Sequence, residues 1–184
     1  TVGYTSSSQK ARVITESWVH LQAYCPNCGH VRLERYENSR PVADFYCANC
    51  HEEYELKSKK TAIGNKIVDG AFSVMIERLN SSTNPNLFLL NYDLATVMVK
   101  NFLVVPKHFF TPEIIEKRKA LADTARRAGW VGCNILLESI PQSGRIYLIK
   151  DSIVKSPTEV LSDWKRTLFL REDKDMKSKG WLLD

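Results

Sequence analysis

No apolar run in this 184-residue chain approaches the roughly 20 residues a membrane-spanning helix needs, which excludes an integral helical membrane protein. The opening residues, Thr1-Val2-Gly3-Tyr4, lack the charged and apolar regions of a secretory signal, with a signal removed by processing left open. There is no internal repeat and no low-complexity tract. Charge of one sign is not in large excess: 26 basic residues stand against 21 acidic, a net +5 that permits a polyanionic partner without requiring one. A 43% hydrophobic share excludes a disordered chain, and the length fits one domain more easily than two. Cysteine is scarce and odd in number, at five. That argues against a disulfide framework and for a metal site in a reducing compartment.

The periodicities predict a mixed α/β domain. Ser6-Ser7-Ser8 caps a helix whose apolar positions are Ala11, Ile14, Trp18 and Leu21. Short strands follow at Ala43–Cys47 and Glu53–Lys57, then a loop at Thr61–Asn65 and a helix from about Lys66 to Leu79, closed by the turn formers 80–85. The apolar runs Leu87–Leu90 and Phe102–Val105 suit buried strands, with Pro106 ending the second. Thr111-Pro112 predicts another helix, Arg145–Ile149 a strand, and Ser156-Pro157-Thr158-Glu159 a helix start with a capping box, followed by Val160, Leu161, Trp164 and Leu168 on one side. The expected fold is a mixed central β-sheet flanked by helices, with an inserted four-cysteine zinc ribbon. The charged tail from Glu172 to Gly180 reads as a linker.

The cysteines carry the strongest motif. Cys25-Pro26-Asn27-Cys28 and Cys47-Ala48-Asn49-Cys50 are two C-x2-C pairs separated by 18 residues, the spacing of a zinc ribbon. Four thiolates fill a tetrahedral Zn²⁺ and leave no open position, so such a zinc is structural. Free cysteines or two disulfides are the alternatives, and His30 and His51 are possible substitute ligands. Cys133 stands alone. Between and after the pairs lie Asp44, Glu55 and Lys57. Glu55 and Lys57 are two apart on a strand and share a face. Two carboxylates and a lysine suit Mg²⁺-dependent phosphodiester hydrolysis: the carboxylates bind the metal, the main-chain carbonyl of Leu56 adds a ligand, and the lysine orients the water and neutralises developing charge. A strand edge carrying ordinary charged residues explains the same pattern. Lys57-Ser58-Lys59-Lys60 would lie where a phosphate backbone passes.

This arrangement resembles the PD-(D/E)xK nuclease superfamily and, more narrowly, the catalytic domain of DpnI-like restriction enzymes. The stretches that carry the likeness are 8–12, 24–29, 40–47, 55–60 and 124–130, together with Asp69-Gly70-Ala71 and Lys179-Gly180-Trp181. The resemblance implies a restriction-endonuclease-like domain over 1–175, with the zinc ribbon at about 24–51. Residues 176–184 would lead to a C-terminal winged-helix domain that this chain lacks, as an expressed fragment or a single-domain relative. It implies Asp44 and Glu55 as Mg²⁺ carboxylates, Lys57 as the catalytic lysine, and Cys25, Cys28, Cys47 and Cys50 as zinc ligands. The implied activity is cleavage of double-stranded DNA at GATC when the adenine carries an N6-methyl group, by a bacterial, cytoplasmic protein that is monomeric in solution. A proline usually adjoins the superfamily's aspartate; here Pro41 lies three residues before Asp44, as in the DpnI-like stretch. A zinc-ribbon DNA-binding module without catalysis and a methylation-independent repair-type nuclease are the alternatives.

From Ile115 to Trp130, five basic residues, Lys117, Arg118, Lys119, Arg126 and Arg127, face two acids, Glu116 and Asp123. With Lys59 and Lys60, these lysines suit phosphate contacts. Arg126 and Arg127 could reach guanine edges in the major groove, and Trp130 could offer a flat apolar surface to a methyl group. The alternative is a solvated basic face with Trp130 in the core. Trp18 and Trp164 read as core, His20 and His108 as core or surface. Glu16 is either a further acid near the metal or part of a solvated helix face.

Overall fold

The computed structural model describes residues 6–37 and 43–171. Pro41 and the linker expected at 176–184 lie outside the described residues. Helix α1 spans Ser7–Gln22 and begins where the Ser6 hydroxyl accepts a hydrogen bond from the Gln9 amide. Its buried positions are Thr15, Glu16 and Val19, whereas Ile14 and Leu21 of the expected apolar stripe are 60% and 65% exposed. Polar contacts set this rotation: Thr15 Oγ1 meets Ser58 Oγ at 3.1 Å, and Glu16 pairs with two arginines.

The elements that follow are strands β1 (Glu34–Arg35), β2 (Phe45–Tyr46), β3 (Glu53–Lys59) and β4 (Lys66–Ala71), helix α2 (Phe72–Asn80), strands β5 (Asn86–Asp93), β6 (Met98–Val105), β7 (Ile115–Lys117), β8 (Gly132–Leu136), β9 (Ile146–Lys150) and β10 (Ile153–Val154), and helix α3 (Pro157–Thr167). Two expected helices need correction. The segment expected to be helical from Lys66 is a strand as far as Ala71. Ile67 is buried and Val68 exposed there, a period of two, and the strand pairs with β8. The helix expected at Thr111-Pro112 is one 3-10 turn, Pro112–Ile114, after which β7 pairs with β8. Helix α3 starts at Pro157 as expected, but Ser156 makes no side-chain cap hydrogen bond, so the capping box does not form.

The expected mixed central sheet flanked by helices is present, and a second, smaller sheet was not expected. Seven strands run in the order β1-β2-β3-β5-β6-β9-β10, and three form a smaller sheet, β4-β8-β7. In the large sheet β3 and β5 are parallel, joined by the β4–α2 crossover, and the other neighbours are antiparallel. Alternation along β5 and β6 divides the core. Leu87, Leu89, Leu103 and Val105 face α2 and the small sheet with Ile67, Met75 and Ile135. Phe88, Leu90, Phe102 and Val104 face the other way, onto Val19 of α1 and Val160 and Trp164 of α3. Glu55 and Lys57 stand opposite Leu87 and Leu89 in the β3–β5 register, so they project toward the small sheet.

Candidate functional site

The cysteine segment folds as two hairpin-like turns that meet. Gly29 adopts φ +76° after the first pair and His51 φ +63° after the second. The Gly29 and His51 amides donate to the carbonyls of Cys25 and Cys47. The ligand atoms of Cys25, Cys28, Cys47 and Cys50 all lie within 4.8 Å of one another. The Cys25–Cys50 and Cys28–Cys47 sulfur separations are 3.5 and 3.6 Å. A Zn–S bond of about 2.3 Å gives tetrahedral S···S edges of about 3.8 Å, so the four sulfurs can hold zinc with little adjustment. Among the described residues, His30 and His51 are not part of this cluster. The Tyr54 hydroxyl lies 3.1 Å from Cys25 Sγ. Burial of the Cys25 thiol pushes its pKa up, and burial is also the main cause of the rise at Tyr54.

Asp44 sits where β2 begins, tied to β3. Its Oδ2 accepts a 2.7 Å hydrogen bond from the Leu56 amide, and its own amide donates to the Tyr54 carbonyl. In a strand, the N–H and C=O of one residue point to the same edge, so the Leu56 carbonyl faces the edge where Asp44 lies. Burial raises the Asp44 pKa above the usual carboxylate range. Glu16 and Glu55 add to the rise, while the Leu56 amide and Arg12, whose guanidinium is 3.7 Å from Asp44, oppose it.

Glu55 accepts a 2.9 Å contact from Arg78 of α2 and lies 3.5 Å from Lys57 Nζ. Lys57 Nζ also donates to Asp69 Oδ1 of β4 at 3.0 Å. Burial alone would lower the Lys57 pKa, but the Glu55 and Asp69 carboxylates outweigh it and raise it. Asp44, on the β2 side of Leu56, and Glu55 and Lys57, on the face of β3 toward the small sheet, are therefore neighbours around Leu56. Glu16 joins them from α1: it is buried, bonded to Arg12 at 2.5 Å and Arg35 at 3.0 Å, and electrostatically coupled to Asp44. It is not a solvated helix face. Arg12, Arg35, Asp69 and Arg78 are the charged residues here that sequence reasoning missed. Arg12 and Asp69 left a signal, in the stretch 8–12 and in Asp69-Gly70-Ala71, whereas Arg35 and Arg78 left none.

The basic segment lies on the small sheet and its connecting loop. Lys117 ends β7, and Arg118, Lys119, Arg126 and Arg127 are exposed on the β7–β8 connection, as is Lys60 after β3, while Lys59 is half-buried. The loop is closed by backbone bonds from Arg118 to Gly132 and between Leu121 and Trp130, and Gly129 takes φ +77°. Trp130 is half-buried rather than core. Arg127 stacks on it with Cζ 4.4 Å from the ring centroid. Its indole packs so closely on Gly132 that an added Cβ would lie 2.8 Å from the ring. Trp164 is fully buried and Trp18 packs edge-on against Phe102. His20 bonds the Leu33 carbonyl, and His108 is buried against Thr167. Cys133 is buried in β8, opposite Asp69 on one side and Lys117 on the other.

Fold and site together define a mixed α/β domain that joins a cysteine quartet able to hold zinc to a carboxylate–lysine cluster on β3. The family model that matches this chain, over residues 1–173, is that of DpnI, the Dam-replacing family, and the chain belongs to that family. Membership makes it a restriction endonuclease domain with DNA as its partner. Among the described residues, no helix is long and apolar enough to cross a membrane.

Proposed function

We propose that this domain is a Mg²⁺-dependent endonuclease that hydrolyses phosphodiester bonds of double-stranded DNA at GATC sites carrying N6-methyladenine. The observation that carries the reading is the convergence of Asp44, Glu55 and Lys57 around Leu56 of β3, in a chain of the DpnI family. The donor set fits a hard cation. Asp44 and Glu55 offer carboxylates and Leu56 its main-chain carbonyl, and the raised Asp44 pKa reflects burial and crowding of negative charge that a cation relieves. When bound there, Mg²⁺ polarises the scissile phosphate and acidifies a water.

The protein's own residues do the rest. Lys57, held as an ammonium by two carboxylates, orients the attacking water and offsets negative charge developing on the phosphate. Arg78 restrains Glu55, and Arg12 and Arg35 neutralise Glu16 beside Asp44. Cys25, Cys28, Cys47 and Cys50 hold structural zinc, which fixes the start of β3 relative to Asp44 and so the geometry of the site. Lys59, Lys60, Lys117, Arg118 and Lys119 meet phosphates. Arg126 and Arg127 approach base edges, and Trp130, flattened against Gly132 and Arg127, presents an apolar face to the methyl group. A fully buried methyl is worth only about 0.8 kcal/mol, so strong methyl discrimination also draws on water excluded from the unmethylated complex.

The test is cleavage of methylated plasmid with and without added Mg²⁺ by the wild type, Asp44→Ala and Lys57→Ala. Omitting Mg²⁺ is cleaner than chelation, which also strips zinc. Cutting that needs Mg²⁺ and is lost in both variants while DNA binding persists is expected. A variant that cuts at the wild-type rate overturns the site assignment.

A further inference from the structure

Lys57 stands on the large sheet, but the carboxylate nearest to its ammonium stands on the small one. Asp69 Oδ1 is 3.0 Å from Lys57 Nζ, against 3.5 Å for Glu55. The Asp69 side chain is only 9% exposed. Its Oδ1 is held by the Gly70 amide at 2.6 Å, and its Oδ2 is buried with no hydrogen-bond partner among the described residues. A buried carboxylate with one oxygen unsatisfied is costly to keep, and a fold retains it only where something offsets the cost. Here the single side-chain ion pair it makes, among the described residues, is with Lys57. Asp69 also lies on a cross-strand rung. It is opposite Cys133 of β8, and Cys133 is opposite Lys117 of β7, so the basic segment and Lys57 are joined through one row of the small sheet.

We propose that Asp69 is a positioning residue for the cutting reaction: from the small sheet it aims and immobilises the Lys57 ammonium, so that docking of DNA on β7 and its loop is registered against the reacting residues of β3. This rests on the reading of Lys57 as the lysine of the cleavage site. The role of Asp69 runs through Lys57, the side chain with which it forms its ion pair. A lysine has four rotatable carbons and a freely turning head, so a single carboxylate (Glu55, on its own strand) leaves it room to swing, while a second one from another sheet fixes it.

The test uses Asp69→Asn, which keeps shape and a hydrogen-bond acceptor but removes the charge, in the zinc-loaded chain. The expected result is a fall in single-turnover cleavage on the order of 10²-fold, the size of effect that about 1 Å of misplacement produces, with duplex affinity and Tm close to wild type. In the Lys57→Ala background the same change should add nothing, because residues that act as one unit are not additive. A readout without cleavage is the ¹⁵N ammonium signal of Lys57, assigned by its loss in Lys57→Ala; it should be ordered in the wild type and averaged in Asp69→Asn. The proposal is overturned if Asp69→Asn cuts at the wild-type rate with an unchanged Lys57 signal, or if rate, affinity and Tm all fall together, which marks a purely structural role. Wild-type cutting by Lys57→Ala is a different pattern, and it removes the reading of the site on which the proposal stands.

Discussion

Tyr54→Phe separates the metal-binding capacity of the cysteine quartet from the packing around it. Tyr54 is fully buried, and its ring stacks on Phe88 at 4.5 Å with an interplanar angle of 11°. Phenylalanine preserves that stack, so the one thing lost is the hydroxyl 3.1 Å from Cys25 Sγ. With zinc bound Cys25 is a thiolate, and the Tyr54 hydroxyl is its donor. A hydrogen bond to a charged group contributes about 1.5–3 kcal/mol, and Cys25 is fully buried, so water cannot take the donor's place. At about 1.4 kcal/mol per factor of ten, the loss is roughly 10–100-fold in zinc affinity, as expected for a group that supports a metal ligand. The assay is competition for zinc against a chromophoric chelator, with thermal melting in excess zinc as the control. Zinc affinity should fall, and Tm at saturating zinc should stay close to wild type. Unchanged affinity refutes the role given to Tyr54 and weakens the view that the quartet is a zinc site supported from β3.

Two further changes test other parts of the account. Asp44→Asn should reduce Mg²⁺-dependent cleavage by about 10²–10³-fold while raising the Tm of the Mg²⁺-free protein. The sign follows from the Asp44 pKa, which burial and two neighbouring carboxylates lift: ionising this group costs stability in the folded chain, so the gain is present at neutral pH and fades as pH falls through the raised pKa. Gly132→Ala places a Cβ 2.8 Å from the Trp130 ring and forces the indole off its seat. Overpacking of this kind costs about 1–3 kcal/mol, roughly 2–4 °C of Tm for each, and preference for methylated over unmethylated duplex should shrink with it.

The parts of this protein that sequence exposes are those set by local spacing. Two C-x2-C pairs close their own turns, so their convergence is written into each pair. Glu55 and Lys57 share a face because a strand alternates every second residue. The runs 87–90 and 102–105 are continuously apolar because both faces of those strands are buried, between Leu87 and Leu89 on one side and Phe88 and Leu90 on the other. The small sheet was hidden because its strands are short and find their partners far along the chain: β4 pairs with residues more than sixty positions later. Lys66–Ala71 could therefore be taken for the start of α2, and the five-residue β8 left no periodicity to read. The charged residues around the site were missed for the same reason. Arg78 and Asp69 reach Glu55 and Lys57 only after α2 and the small sheet pack onto the large one; Glu16, for which the sequence left two readings open, is settled as a site neighbour because α1 buries a polar face.

Methyl-directed cleavage of DNA at this site is read most directly from the initial cleavage rates of the 184-residue chain, with Mg²⁺, on GATC duplexes of one sequence that are fully methylated, hemimethylated or unmethylated at adenine N6. The predicted result is that the fully methylated duplex is cut and the unmethylated one is left intact. Equal cutting of both, or binding of the methylated duplex without any cutting, contradicts it.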